Sequence, residues 1–222
     1  MHVAPHDNAN RPIVDRDDPL VPLVYFNILR LKAGETFDYQ TPGYETCIVP
    51  ATGTVTVETM GQTFADIGHR GTDVWDGEPE GVYVPTNAAT RITARTDTET
   101  FIAGARFAET LRPFAVRAAD IDKVQYGSDD TKTHRKIKHI LGAAYHDRVG
   151  RLLVSELYTV GQGGWSGFPA TSTTPTAAIP PPGTSSKPAM TNATTSASAP
   201  ITVPACKCCN AWITNPATPI TS

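Results

Sequence analysis

The sequence predicts an all-β protein, an antiparallel sandwich or barrel, followed by a segment too poor in apolar bulk to build a core. Three observations carry this reading. Between Val21 and Phe107, short runs of β-branched, aromatic and aliphatic residues recur at close spacing, each broken by turn-forming residues. No window there sustains the 3.6-residue apolar period of a helix. Every Asp, Glu, Arg and His of the chain lies before Ala170, and no Leu, Phe, Tyr or Gln follows it.

The strands can be taken in order. Leu23–Leu31 (LVYFNILRL) is rich in strand-forming side chains and stops at Lys32-Ala33-Gly34-Glu35. Glu45–Val49 follows a Pro42-Gly43 turn, and Thr54–Val57 alternates after Gly53. Met60-Gly61-Gln62 reads as a hairpin tip before Phe64. Gly81–Val84 ends at Pro85, and Thr90–Thr96 and Thr100–Ala105 supply two more strands. Arg117–Gln125 reads as a connector with one helical turn at Ala118-Ala119-Asp120. Arg135–Leu141 alternates basic and aliphatic residues, and Leu152–Thr159 (LLVSELYT) is a strong strand. A second β-unit thus starts near residue 130. Two strands alone cannot close a sandwich.

The net charge of −3 offers no footprint for nucleic acid or an anionic membrane. No stretch approaches the ~20 apolar residues of a membrane span, and Met1–Asp18 lacks the order of a signal peptide. A cytoplasmic location is the expectation. From Ala170 to Ser222 the chain is mostly Thr, Ala, Pro and Ser, with Cys206, Cys208 and Cys209 close together. Such a composition cannot offset its ordering entropy, which predicts disorder.

Several stretches, in their order and spacing, match a known pattern. They are Leu29–Glu35 (LRLKAGE), Glu45–Val49 with Gly53–Val57, Val74–Pro79 (VWDGEP) with Val82–Pro85, and Thr133–Leu141 (THRKIKHIL). The most specific is Leu152–Pro169, LLVSELYTVGQGGWSGFP. Together they resemble the 5-deoxy-glucuronate isomerases of myo-inositol catabolism, two-cupin proteins related to the 4-deoxy-threo-hexulosonate isomerases of the pectin pathway. The resemblance covers residues 20–169. The expected organisation is a flexible N-terminus over 1–19 and, from the resemblance, a complete N-terminal cupin sandwich, or jelly roll, over 20–118. A connector and the first strands of a truncated second cupin follow over 119–169, then a disordered tail over 170–222.

In that family the Leu152–Pro169 run leads into a Pro-His-Lys-His-Asp motif. Two histidines at i and i+2 on a strand share a face, and with a downstream Glu and a third His they would hold a divalent metal. The resemblance implies an aldose–ketose isomerisation, 5-deoxy-D-glucuronate to 5-dehydro-2-deoxy-D-gluconate. A metal there would polarise the carbonyl while a base moves a proton between neighbouring carbons. In this chain Pro169 is followed by Ala170-Thr171-Ser172-Thr173-Thr174, and no histidine occurs after His146. The expectation is therefore no metal ligand and no cofactor in this chain, and little or no turnover.

One reading explains both the lost motif and the change in composition. Ala-Thr-Ser-Thr-Thr can be encoded GCC ACA AGC ACG ACN, which from its third base reads CAC AAG CAC GAC, or His-Lys-His-Asp. Shifted alike, Ala205–Asn215 (ACKCCNAWITN) allows an ordinary strand. The expectation is a change of reading frame near codon 170.

Other residues divide between sharp and plain readings. Cys206-Lys207-Cys208-Cys209 has no fourth ligand nearby for Zn²⁺, and the Asn192-Ala193-Thr194 sequon carries no weight without a signal peptide. Arg135 and Lys138 are the candidate contacts for an anionic sugar acid, beside Lys136, His134 and His139; the plain reading is a solvated basic edge strand. His69 reads as a loop residue, Cys47 as a small buried hydrophobe, and Trp75 and Trp165 as packing residues. Asp76, Glu78 and Glu80 read as an exposed acidic loop. The expected partner is a small-molecule sugar acid, with self-association left open. A metal-free cupin that binds a sugar acid without turnover, and a scaffold that does neither, stay as alternatives.

Overall fold

The computed structural model describes residues 7–128, 130, 134–159 and 209–213, the last five and 158–159 by their backbone. Within 170–222, where disorder is expected, the backbone of Cys209–Ile213 forms a strand; the other 170–222 expectations lie outside the described residues, as do Trp165, Cys206 and Cys208.

The protein is all-β. Strands β1 (Val24–Leu31), β2 (Thr36–Tyr39), β3 (Tyr44–Thr59), β4 (Gln62–Arg70), β5 (Gly81–Val84), β6 (Thr90–Ala94), β7 (Thr98–Arg106) and β8 (Phe114–Val116) build the first unit. Strands β9 (Asp122–Tyr126), β10 (Arg135–Leu141), β11 (Leu152–Thr159) and β12 (Cys209–Ile213) form a separate sheet in the order β12-β11-β10-β9. Every pairing is antiparallel, as hairpins and short connections favour. Among the described residues no helix is long and apolar enough to cross a membrane.

The first unit is two sheets sharing one long strand. One sheet runs β1-β7-β3-β5-β8; in the other, β6 lies between β2 and β3, and β4 pairs with β3 on its far side. The sequence reads as two strands, Glu45–Val49 and Thr54–Val57, because Pro50 and Gly53 interrupt it. The structure joins them as β3, whose register shifts against β7 between Pro50 and Thr52 and against β4 between Gly53 and Val55. The chain changes sheets at this corner.

Burial along β3 records the change. Tyr44–Ala51 is buried throughout, whereas Thr52–Thr59 alternates between buried and more exposed positions. The first half lies in a sheet covered on both faces and the second in a sheet covered on one. Between the two sheets Leu29, Ile48, Val55, Val57, Ile67, Ile92 and Ile102 form one core. On the opposite face of the first sheet, Cys47, Val49, Tyr83 and Val116 meet Ile140, Leu152 and Val154 of the third sheet. The remainder of that face is covered by Val14, which packs with Val24, Phe26 and Phe101. The architecture is three layers deep, with the β1-β7-β3-β5-β8 sheet in the middle.

Most strand expectations hold within a few residues. Met60 and Gly61 both have positive φ, 48° and 72°, as the tight turn of a two-residue hairpin requires. The turn at Ala118–Asp120 is a 3₁₀ turn. β9 falls where a connector was expected, its residues mostly exposed because it is an edge strand. β10, read as a basic edge, lies between β9 and β11. Within the stretch read as flexible, residues 8–14 are tied to β1: Asn8 Nδ2 donates to Asn27 Oδ1 and the Ile28 carbonyl, and Val14 bridges Phe26.

The β3 corner needs two glycines. Gly53 has φ +71°, and a Cβ there would lie 2.2 Å from the Asp97 carbonyl oxygen. Gly68 has φ +95°, and its Cβ would sit 2.6 Å from the Gly53 carbonyl oxygen. Gly53→Ala should therefore destabilise the protein by about 2–4 kcal/mol, adding a backbone clash to left-handed strain. Denaturant melts of the variant against the parent check this; a loss below about 0.5 kcal/mol would show that the corner can relax.

Candidate functional site

The chemistry-bearing side chains gather where the third sheet meets the first unit. Glu45 sits on β3 with its neighbours Cys47 and Val49 facing the third sheet, so its side chain points out of the first sandwich. It is fully buried. Its carboxylate accepts a hydrogen bond from Tyr83 Oη at 2.7 Å and from the backbone amides of Gly150 and Leu152, each at 2.8 Å, with Arg151 N–H between them. Three successive amides aimed at one point make a concave anion seat, and here the seat receives the protein's own carboxylate. Burial, reinforced by the Glu45 charge, pushes the Tyr83 hydroxyl far above its ordinary pKa, so it acts as a fixed donor.

The reciprocal contact runs the other way. Glu156 on β11 is fully buried and takes a bidentate pair from Arg70 on β4, both bonds at 2.6 Å. Arg70 Nε also donates to the Gly77 carbonyl at 3.1 Å. Beside this pair, Glu78 receives Lys123 Nζ at 3.1 Å and Lys138 Nζ at 2.8 Å. Burial favours the neutral Glu78 carboxyl, but the paired ammonium groups of Lys138 and Lys123 outweigh it and hold its pKa below the usual value. Glu80 is buried and accepts from the amides of Gly68 and Ala118 and from Arg117, with His69 Nε2 3.5 Å away. The acidic stretch read as an exposed loop is thus partly buried and paired. Asp76 alone keeps a local task there, accepting from the amides of Thr72 and Asp73.

The residues nominated from the sequence do not converge. Arg135 and Lys138 are an odd number of positions apart on β10, so their side chains leave opposite faces of the sheet. Lys138 points toward the first unit and Glu78. On the other face, with Arg135 and Ile137, His139 Nδ1 lies 2.7 Å from Ser155 Oγ of β11. His69 is largely exposed. Cys47 is buried in the core, and desolvation raises its thiol pKa well above the ordinary value, as suits an inert packing residue. Trp75, read as a packing residue, is 65% exposed on the 3₁₀ turn Val74–Asp76. Among the described residues, no three or more His, Cys, Asp or Glu side chains form a group that could hold a metal ion. The described residues do not fit a metal centre.

Sequence reading missed Glu45, Arg70 and Glu156, although a signal was present. Each glutamate is the one charged residue of its strand segment, in YETCIV and LLVSELYT. A carboxylate in such a strand must be either exposed or paired.

Comparison with known proteins places the chain in a family. The KduI/IolB family matches residues 2–171. A 5-deoxy-glucuronate isomerase of Bacillus subtilis (strain 168) is 31% identical over 147 residues, which is 66% of this chain and 52% of the relative. One from Lacticaseibacillus casei is 32% identical over 148 residues, covering 64% and 51%. The chain spans about half the length of these relatives. The crystal structure of an IolB-like protein from Salmonella typhimurium LT2 is similar, with a TM-score of 0.57 and 26% identity over 62% of this chain and 51% of that one.

Two outcomes follow from the junction. Arg70→Met or Glu156→Leu alone leaves a charged group buried with its partner gone, and should cost about 3–5 kcal/mol in denaturant melts. The double replacement Arg70→Met with Glu156→Leu should recover much of that, and an additive double mutant would contradict the pairing. Because the Glu78 pKa is lowered on folding, its stabilisation is present above the unfolded value of about 4.3 and lost as pH falls through the folded one. Glu78→Gln should thus be less stable than the parent near neutral pH, with the gap closing on acidification below about pH 4. A gap that persists unchanged at pH 3 would overturn the assignment.

Proposed function

The chain belongs to the KduI/IolB family, and on that premise we propose that it is a sugar-acid isomerase by descent, acting on 5-deoxy-D-glucuronate to give 5-dehydro-2-deoxy-D-gluconate. The observation that carries the reading is the 2–171 family match, with relatives bearing the isomerase name. The reaction moves one proton from the hydroxyl-bearing carbon to the aldehyde carbon and one from the hydroxyl oxygen to the carbonyl oxygen; the aldehyde becomes a primary alcohol and its neighbour a ketone, so atoms and electrons balance within the substrate. A cytoplasmic location and a small sugar acid as the ligand accompany the proposal.

The same match supports a second part. It stops at residue 171, within two residues of the place where composition changes and where Ala170-Thr171-Ser172-Thr173 stands in place of the family's His-Lys-His-Asp. We take the chain as written to lack the ligands of the family's metal, and no step is assigned to a metal through the described residues. Of the two basic candidates, Lys138 is engaged with Glu78.

The test compares two proteins, the chain as written and one whose frame is shifted after codon 169 so that His-Lys-His-Asp follows Pro169. Both are incubated with 5-deoxy-D-glucuronate and Mn²⁺ or Zn²⁺, and the ketone product is followed by NMR. The shifted protein should turn over at least about a hundredfold faster, since the chain as written lacks the ligands altogether. Equal turnover by both would overturn the frame reading. Saturable binding without turnover by either would replace the isomerase by a binding module.

A further inference from the structure

The stretch Val74–Pro79 carries part of the family resemblance, yet the isomerase reading gives it no task. Its Glu78 reaches across from the first unit to two strands of the third sheet, Lys123 on β9 and Lys138 on β10. Those lysines are direct cross-strand partners, and Lys138 is in turn the direct partner of Glu156 on β11. One row across three strands therefore presents Lys123, Lys138 and Glu156 toward the first unit. The first unit answers with Glu78 against the lysines and Arg70 against the glutamate.

Order matters in such a row. Two lysines directly opposite one another repel, the more so where Lys138 is only 18% exposed; a carboxylate shared between them turns the repulsion into attraction. The apolar contacts of the same junction are non-directional and would tolerate sliding. A shift of the third sheet by one strand, about 4.8 Å, would bring Glu78 toward Glu156 or Arg70 toward Lys138, like charge against like. The wrong arrangements are penalised as well as the right one favoured, which is how specificity arises.

We propose that the row Lys123–Lys138–Glu156 and its mates Glu78 and Arg70 form a docking key that fixes the third sheet on the N-terminal unit, with Glu78 selecting the docked arrangement. The key concerns how β11 is held. It is independent of turnover, so failure of the isomerase assay leaves it standing, and its own failure leaves the isomerase reading standing.

Hydrogen exchange read by mass spectrometry on the full chain tests it, because sheets that open separately exchange separately. Glu78→Lys should speed exchange in peptides covering β9, β10 and β11 by about tenfold or more, with peptides covering β1 and β7 unchanged. Combining Glu78→Lys with Lys123→Glu again places one carboxylate between two ammonium groups and leaves Lys138 opposite Glu156, and should recover at least about half of the lost protection on a logarithmic scale. Should Glu78→Lys fail to fold, Glu78→Gln carries the same test at smaller amplitude, and 1 M salt should then speed exchange of the third sheet in the parent but not in the variant. Unchanged exchange, loss shared equally by β1 and β7, or a double variant no better protected than the single one would overturn the proposal.

Discussion

Two units of this chain hold one another by exchanging buried carboxylates. Glu45 of the first unit is seated on the amides of Gly150, Arg151 and Leu152, and Glu156 of the second is clamped by Arg70 of the first. Neither carboxylate reaches water. A buried anion is tolerated only with its hydrogen-bonding capacity filled, so each contact exists only while the two units are docked. Separating them would expose apolar surface and, in addition, strip both carboxylates of their partners. The apolar core of Cys47, Tyr83, Ile140, Leu152 and Val154 supplies attraction between the layers, and the carboxylates supply position.

That position is transmitted along few strands. β3 carries Glu45 in its doubly buried half and hands the chain to the outer sheet at the Gly53 corner. β4 pairs with the second half of β3 and ends at Arg70. The anion hook and the cation clamp thus hang from one continuous strand and its hairpin partner, close to the corner. The Glu78 loop follows β4, and Arg70 holds that loop through the Gly77 carbonyl. Geometry set at two glycines consequently governs where Glu45, Arg70 and Glu78 stand.

Much of this fold was legible in the sequence because it is local. Strand composition, the Met60-Gly61 turn and the Pro85 stop act over a few residues and need no partner to be read. β3 was read as two strands because Pro50 and Gly53 are breakers locally; that a third layer covers its first half is a tertiary fact. The site was less legible for the same reason. Lys138 could be nominated as a cation on an alternating strand, but its direction toward Glu78 depends on which face of β10 meets the first unit. Arg70 and Glu156 lie 86 residues apart, and no local pattern joins them. The one local sign was a single glutamate in each of two apolar strands.

The composition break and the docking geometry bear on each other. β11 is the last strand before the break, and its outline is intact: Leu152 and Val154 lie in the core, Glu156 is clamped, and Ser155 meets His139 on the other face. A chain long free of selection for its second unit would be expected to lose such contacts first, since they stabilise nothing but the docking of that unit. Here Glu156 is paired with Arg70, while the change of composition falls abruptly at 170. Gradual decay would blur both sides of a boundary, because substitutions accumulate residue by residue. An abrupt change of composition at 170 is what the proposed change of reading frame would produce.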